Sequence, residues 1–249
     1  MSRVERAVIL SAGQGSRLLP LTESLPKCLI DLGGKSMLEW QLEALAGAGI
    51  REAVIVTGFR SDRVEEALTR IVPASMTART LFNPFYKVAD NLASCWMARD
   101  ALTGPCVLLN GDTLISTAIA ERLLAAPPGP ITLTIDRNDS YDDDAMKIVS
   151  EGDRLRAVGK TLSLDQVNGE SIGFSRYDDA GSAIFRAELE HTMRTAEGTR
   201  LWYLSSINRI AAAGDDVRVA SIEGLEWEEL DFAADLVRCR ALATGWARA

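Results

Sequence analysis

The sequence predicts an α/β fold, a mostly parallel sheet flanked by helices with an inserted mixed-strand subdomain. Three observations carry that expectation. Apolar, β-branched runs alternate with helically spaced stretches through about the first 130 residues. Shorter strand-like runs follow one another after Pro127-Pro128-Gly129-Pro130. The length of 249 residues suits one α/β domain, and a chain of that order buries roughly 75% of its unfolded surface without a disulfide or metal.

Residues 4–10 form an apolar run that ends in a glycine-rich loop, as a first strand feeding a ligand loop does. Residues 37–48 carry apolar side chains at helical spacing, and 53–57 are a short β-branched run. A charged helical stretch covers 62–71, a third strand 80–82 and a further helix 92–101. A fourth apolar strand at 106–109 is stopped by Asn110-Gly111-Asp112. Right-handed crossovers bring the C-terminal ends of such strands to one edge, where open α/β sheets bind ligands. In the second half, strands are expected at 131–135, 146–150, 155–158 and 172–177, and helices at 183–195, 205–213 and 232–243. No linker or internal repeat divides the chain, so 1–249 reads as a single domain with parts at about 1–130 and 131–249.

Acidic residues number 35 and basic residues 27, a net charge of −8. That sign argues against a nucleic-acid partner, which needs a basic footprint. The N-terminal MSRVERAVILSAG has no signal-peptide pattern. No apolar run approaches the ~20 residues of a membrane helix, so no membrane partner is expected. Four cysteines (Cys28, Cys95, Cys106, Cys239) form no metal-ligand spacing and read as free thiols of a cytoplasmic protein. The single histidine, His191, lies in a predicted helix and reads as structural. Its solitude removes zinc-hydrolase and Ser-His-Asp chemistry. A homo-oligomer is compatible with the sequence, which fixes no oligomeric state.

The richest stretch runs Leu10-Ser11-Ala12-Gly13-Gln14-Gly15-Ser16-Arg17-Leu18 and continues through Pro20, Thr22, Pro26 and Lys27. Its glycines let backbone approach a phosphate closely, and Arg17 and Lys27 bring cations to the same loop. The dinucleotide fingerprint fails because Leu18 stands at its third glycine. Gly34-Lys35-Ser36 imitates the tail of a P-loop, but Leu29 stands at the leading glycine. The remaining pattern is GxGxRLxPLTxxxPK.

That pattern resembles the nucleotidyltransferases that make sugar nucleotides and related activated metabolites, with Ser11 and Cys28 as mild departures. The resemblance implies a Rossmann-like core in which the loop, here Leu10, Ala12, Gly13, Gln14, Gly15 and Ser16, wraps a nucleoside triphosphate. It assigns Arg17 and Lys27 to the phosphates, and implies Mg²⁺ on Asp112 of the Gly111-Asp112 pair and on Asp231 before the last helix. The bland reading of Asp231 is an N-cap. Residues 136–144 fail the EF-hand template and read as a solvated acidic loop rather than a glycosyltransferase DxD.

In Asp90-Asn91-Leu92-Ala93-Ser94, the chain is similar to the choline-phosphate and phosphonate cytidylyltransferase branch, which places base- and ribose-reading residues at Asn91 and Ser94. This favours CTP. Lys160 falls where relatives grip the acceptor's phosphate, Lys147 is a second candidate for that phosphate, Glu170 is the candidate where relatives read the acceptor, and Trp202 and Tyr203 offer aromatic faces for a cationic head group. Core burial is the commoner fate of aromatics. Leu204-Ser205-Ser206 departs from the acidic residues of that branch. The expected activity is Mg²⁺-dependent transfer of CMP from CTP to a small phosphate- or phosphonate-bearing acceptor, with pyrophosphate released. The alternatives are a sugar-1-phosphate enzyme using UTP, dTTP or GTP, and a non-catalytic nucleotide-binding subunit.

Overall fold

The structure, a computed structural model, describes residues 3–248. Its first half alternates β1 (Arg6–Ser11), α1 (Met37–Gly47), β2 (Glu52–Thr57), α2 (Ser61–Ile71), β3 (Thr77–Phe82), α3 (Asn91–Met97) and β4 (Cys106–Asn110). A two-residue strand β5 (Thr113–Leu114) and α4 (Thr117–Leu124) follow. The second half holds β6 (Ile131–Asp136), β7 (Lys147–Glu151), β8 (Arg154–Gly159), β9 (Gly169–Tyr177), α5 (Asp179–Met193) and α6 (Tyr203–Ala212). It closes with β10 (Val217–Ser221), β11 (Glu228–Glu229) and α7 (Ala233–Trp246).

The main sheet runs β3-β2-β1-β4-β9-β6-β10-β8-β7. The pairings β3–β2, β2–β1, β1–β4 and β10–β6 are parallel, while β9 and β8 are antiparallel to their neighbours. The α/β architecture is as expected. β9 is long enough to pair with β4 along its C-terminal part and with β7 at Gly169 and Glu170. Strands β6, β10, β8, β7 and β9 therefore close a circuit of pairings, the mixed-strand insertion foreseen from the sequence.

β1 is buried on both faces, and successive side chains go to two different cores. Val8 joins a core with α3, α5 and α6, and Ala7 and Ile9 join one with α1 and α4. A third, smaller cluster gathers Leu18, Ile30, Leu32, Met37, Trp40, Leu114 and Leu230 against Leu236, Cys239 and Ala243 of α7. It lies directly beneath the ligand edge.

Several expected boundaries shift. The helix expected at 92–101 ends at Met97, because the chain turns after Ala98. The third strand starts three residues earlier, at Thr77. Strands β5, β10 and β11 and helix α4 were not foreseen. β5 and β11 are two residues each, too short for a period to register. No helix among the described residues is long and apolar enough to cross a membrane.

Candidate active site

β1 and β4 pair in parallel, so their C-terminal ends open together. The loop leaving β1 turns at Gly15, whose φ of 74° is left-handed. A Cβ there would stand 3.0 Å from the Cβ and Cδ of Lys27, so the loop passes over the lysine stem only as glycine. Gly111 is similar: its Cβ would stand 2.6 Å from the Leu10 carbonyl. The loop is braced by Gln14, whose Nε2 donates to the Thr22 carbonyl (3.1 Å), and by Thr22 Oγ1 donating to the Gly15 carbonyl (2.8 Å). Ala12 is buried, Leu10 half-buried, and Gly13 has open space at its Cα; exposed Ser16 starts a short 3-10 turn that ends in Leu18.

The loop delivers two cations to three carboxylates. Lys27 Nζ donates to Asp112 Oδ2 (2.8 Å) and Asp231 Oδ1 (2.6 Å). Arg17 donates to Asp144 (3.0 Å) and Asp231 (3.4 Å), and its guanidinium lies 4.9 Å from the Phe232 ring centroid. Burial opposes the charge on Lys27, but Asp112 and then Asp231 outweigh it and hold the ammonium well above its ordinary range. Asp231 is not the N-cap of α7. Asp235 takes that end, accepting from the amides of Asp231 (2.8 Å) and Phe232 (2.6 Å), which leaves the Asp231 carboxylate for the cations.

Asp112 and Asp231 fit a magnesium ion. Mg²⁺ is typically held by one or two carboxylates plus substrate phosphates and water. Asp112 Oδ1 is buried with no hydrogen-bond partner among the described residues, an acceptor lone pair in need of a cation. No group of three or more potential ligands gathers among the described residues, so Asp112 and Asp231 would hold the ion with substrate phosphate oxygens and water completing its shell.

A cleft of about 170 Å³ extends from these groups, lined by Arg17, Asp112, Asp144, Lys160, Glu170 and Trp202 among others. Lys160 pairs with Asp144 and lies 4.9 Å over the Trp202 ring. Glu170 accepts from Asn138 Nδ2 (2.6 Å), and burial, then the charges of Asp136 and Asp142, push its carboxyl up to about 6. Asn91 lines the cleft while its Oδ1 accepts from the Tyr203 amide (2.9 Å), tying α3 to α6. Trp202 is 40% exposed in the cleft, whereas Tyr203 is buried beside Phe185 in the core and only its edge lines the cleft.

Two expected site residues are placed elsewhere. Lys147 is buried, and its ammonium donates to the carbonyls of Asp142 (2.5 Å), Asp143 (3.4 Å) and Lys160 (3.1 Å). That makes it a staple inside the protein rather than a grip on the acceptor. Ser94 is buried and accepts from Asn83 Nδ2 (3.0 Å), out of the cleft lining, because it sits on the core face of α3. The false P-loop is also resolved, since Lys35 pairs with Glu43 (2.6 Å) and Ser36 caps α1. Burial pushes the Cys28 thiol up to about 12, consistent with a chemistry that uses no thiolate.

Two site carboxylates escaped the sequence reading. Asp144, expected on a solvated loop, folds in to pair with both Arg17 and Lys160, which hold its carboxyl below the usual range, Lys160 first. Glu229 opens on the cleft beside Asp112 and Asp231; enclosure by protein, then those two charges, push its carboxyl upward. Only its place two residues before Asp231 hinted at it.

The Nucleotidyl transferase family model matches residues 6–137. A CMP-5'-(3-aminopropyl)phosphonate synthase of Streptomyces rubellomurinus is 31% identical over 240 residues, 92% of this chain. This chain spans only 37% of that relative's length. A CTP:phosphoglutamine cytidylyltransferase of Campylobacter jejuni is 22% identical, covering 92% of this chain and 97% of its own. Among solved structures, a CTP:phosphocholine cytidylyltransferase from Streptococcus pneumoniae superposes with a TM-score of 0.79 at 20% identity, over 97% of this chain and 100% of that one.

Proposed function

Because the chain belongs to the nucleotidyl transferase family, we propose that it is a Mg²⁺-dependent cytidylyltransferase joining CMP from CTP to a small phosphate- or phosphonate-bearing acceptor. The observation that carries this reading is the Lys27 ammonium set between two carboxylates at the mouth of a glycine-rich loop. The names of the relatives support CTP and an acceptor carrying an oxyanion on phosphorus. Four buried, free cysteines support a reducing compartment such as the cytoplasm.

The acceptor oxyanion attacks the α-phosphorus of CTP, and the bond to the pyrophosphate leaving group breaks. The attacking oxygen already carries charge at neutral pH, so no general base is required. Positioning and charge neutralisation dominate such transfers. Asp112 and Asp231 would hold the magnesium ion, which when bound neutralises charge building on the phosphate oxygens. Lys27 and Arg17 bind the triphosphate and steady the departing pyrophosphate. Charge-assisted bonds of this kind contribute roughly 1.5–3 kcal/mol each. Lys160, over Trp202, faces the acceptor's oxyanion.

The test is pyrophosphate release with Mg²⁺, comparing CTP with UTP, GTP, ATP and dTTP. Each is paired with phosphocholine, 2-aminoethylphosphonate and glucose 1-phosphate. Turnover with CTP alone supports the proposal. Turnover with another nucleotide and the sugar phosphate moves the chain to the sugar-1-phosphate enzymes. Nucleotide binding without turnover on any acceptor points to a non-catalytic subunit.

A further inference from the structure

We propose that Asp144 is a tethered stand-in for the acceptor's oxyanion, its carboxylate occupying an anion seat between Arg17 and Lys160 that it must leave before an acceptor binds. The proposal rests on the reading of this cleft as the acceptor site.

Asp144 is placed as a bridging anion would be. One oxygen, Oδ2, accepts from Arg17 (3.0 Å), and the other, Oδ1, from Lys160. The phosphorus oxyanion of a phosphonate or phosphate monoester also offers separate oxygens to two cations. The two cations come from opposite sides of the cleft, Arg17 from the glycine-rich loop and Lys160 from the end of β8. A group held by both stands where the two substrates must meet.

The charges of the cleft argue in the same direction. Its lining carries Arg17 and Lys160 against Asp112, Asp144, Glu170, Glu229 and Asp231. An anionic acceptor entering beside a triphosphate meets a surplus of carboxylates, and withdrawal of one of them relieves it. Glu170, Glu229, Asp112 and Asp231 lie on a strand or within two residues of one. Asp144 alone among them rides on a long connection, the one between β6 and β7. That connection is also aimed. Lys147 pins its stem through the Asp142 and Asp143 carbonyls, and Asp142 Oδ1 accepts from the amides of Asp144 (2.9 Å) and Ala145 (2.7 Å). The staple also reaches the Lys160 carbonyl, so the carboxylate and its seat share one anchor.

The probe is methylphosphonate, which has the oxyanion and no head group, titrated without nucleotide and followed by phosphorus NMR. Asp144→Asn should bind it roughly three- to tenfold more tightly than wild type, the size expected from removing a half-exposed ion-paired competitor. In the Lys160→Ala background the same substitution should give no gain. Binding that is unchanged, weaker or undetected in Asp144→Asn overturns the proposal, and so does a gain that persists without Lys160. Pyrophosphate release by wild type is read separately. If turnover is absent but the gain is present, the cytidylyltransferase reading falls and the anion seat stands.

Discussion

The Lys27 ammonium lies 2.6 Å from the Asp231 carboxylate across 204 residues of chain. The same nitrogen reaches Asp112 at 2.8 Å, so one cation neutralises both proposed metal ligands. Substitution of Lys27 therefore has two effects, one on chemistry and one on the two carboxylates it bridges.

Lys27→Met should lower turnover on the order of 10–100-fold or more, the loss of a charge-assisted contact to the triphosphate. It also leaves Asp112 without its counterion and Asp231 with Arg17 alone. The variant should melt at a lower temperature than wild type, and Mg²⁺ should raise its melting point by more than it raises that of wild type. Steady-state kinetics and thermal melts with and without Mg²⁺ check both halves. Turnover near wild type would remove Lys27 from the mechanism.

Asp112→Asn should raise the Mg²⁺ concentration needed for half-maximal turnover by roughly tenfold or more, since ligand-sphere changes commonly cost 10–100-fold. Stripping metal with EDTA should abolish turnover, and Mg²⁺ should restore it. A metal titration of the variant with an unchanged midpoint would move the ligand role elsewhere.

Gly15→Ala sets a side chain on a residue with φ of 74° and pushes it toward the Lys27 stem, 3.0 Å away. The left-handed strain alone costs about 1–2 kcal/mol. Urea denaturation should show that loss, and kcat should fall because Lys27 is displaced. The neighbouring Gly13, with nothing within 4 Å of its Cβ position, should tolerate alanine with little change in stability.

Ser94→Ala separates a packing role from nucleotide reading. Ser94 is buried and accepts from Asn83, so the variant strands a buried amide donor. A cost of about 1–3 kcal/mol is expected, with the KM for CTP unchanged. A raised KM at intact stability would return Ser94 to the nucleotide site.

Glu170 supplies a pH signature. Its carboxyl is raised from 4.5 to about 6, first by burial and then by Asp136 and Asp142. A raised carboxyl pKa means the folded state favours the protonated form. The stabilisation it brings is whole below 4.5 and is lost as pH rises through 6. Glu170→Gln keeps the neutral form at every pH. Its melting point should match that of wild type below pH 4.5 and pull ahead between 4.5 and 6, with a level difference above. A flat difference across that window would show that Glu170 titrates normally.

The glycine-rich loop was legible because its chemistry is local. Gly15, Arg17 and Lys27 lie close in sequence, and their order constrains one turn. Strands β1, β2 and β4 were legible because both faces of each are buried, giving near-continuous apolar runs, whereas the edge strand β3 is half-exposed and polar, and its start was misread. The partners of Lys147 and Ser94 were not legible for one shared reason: residue type says what a side chain can bond, and not which carbonyl or amide folding will bring to it. Asp144 was hidden among carboxylates that look alike in sequence, and only its distance to Arg17 and Lys160 singles it out. The closed circuit of β6 to β10 depends on pairings between distant strands, to which a local period is blind.

The cluster of Leu18, Ile30, Leu32, Leu114 and Leu230 against α7 sets an order of events during synthesis. Lys27 emerges early and Asp231 204 residues later. At ~5–20 residues per second, the lysine waits roughly 10–40 s for that partner. A nascent chain thus presents its glycine-rich loop long before the carboxylate that pairs with Lys27. The apolar floor under Leu18 likewise waits for Leu236, Cys239 and Ala243 of α7.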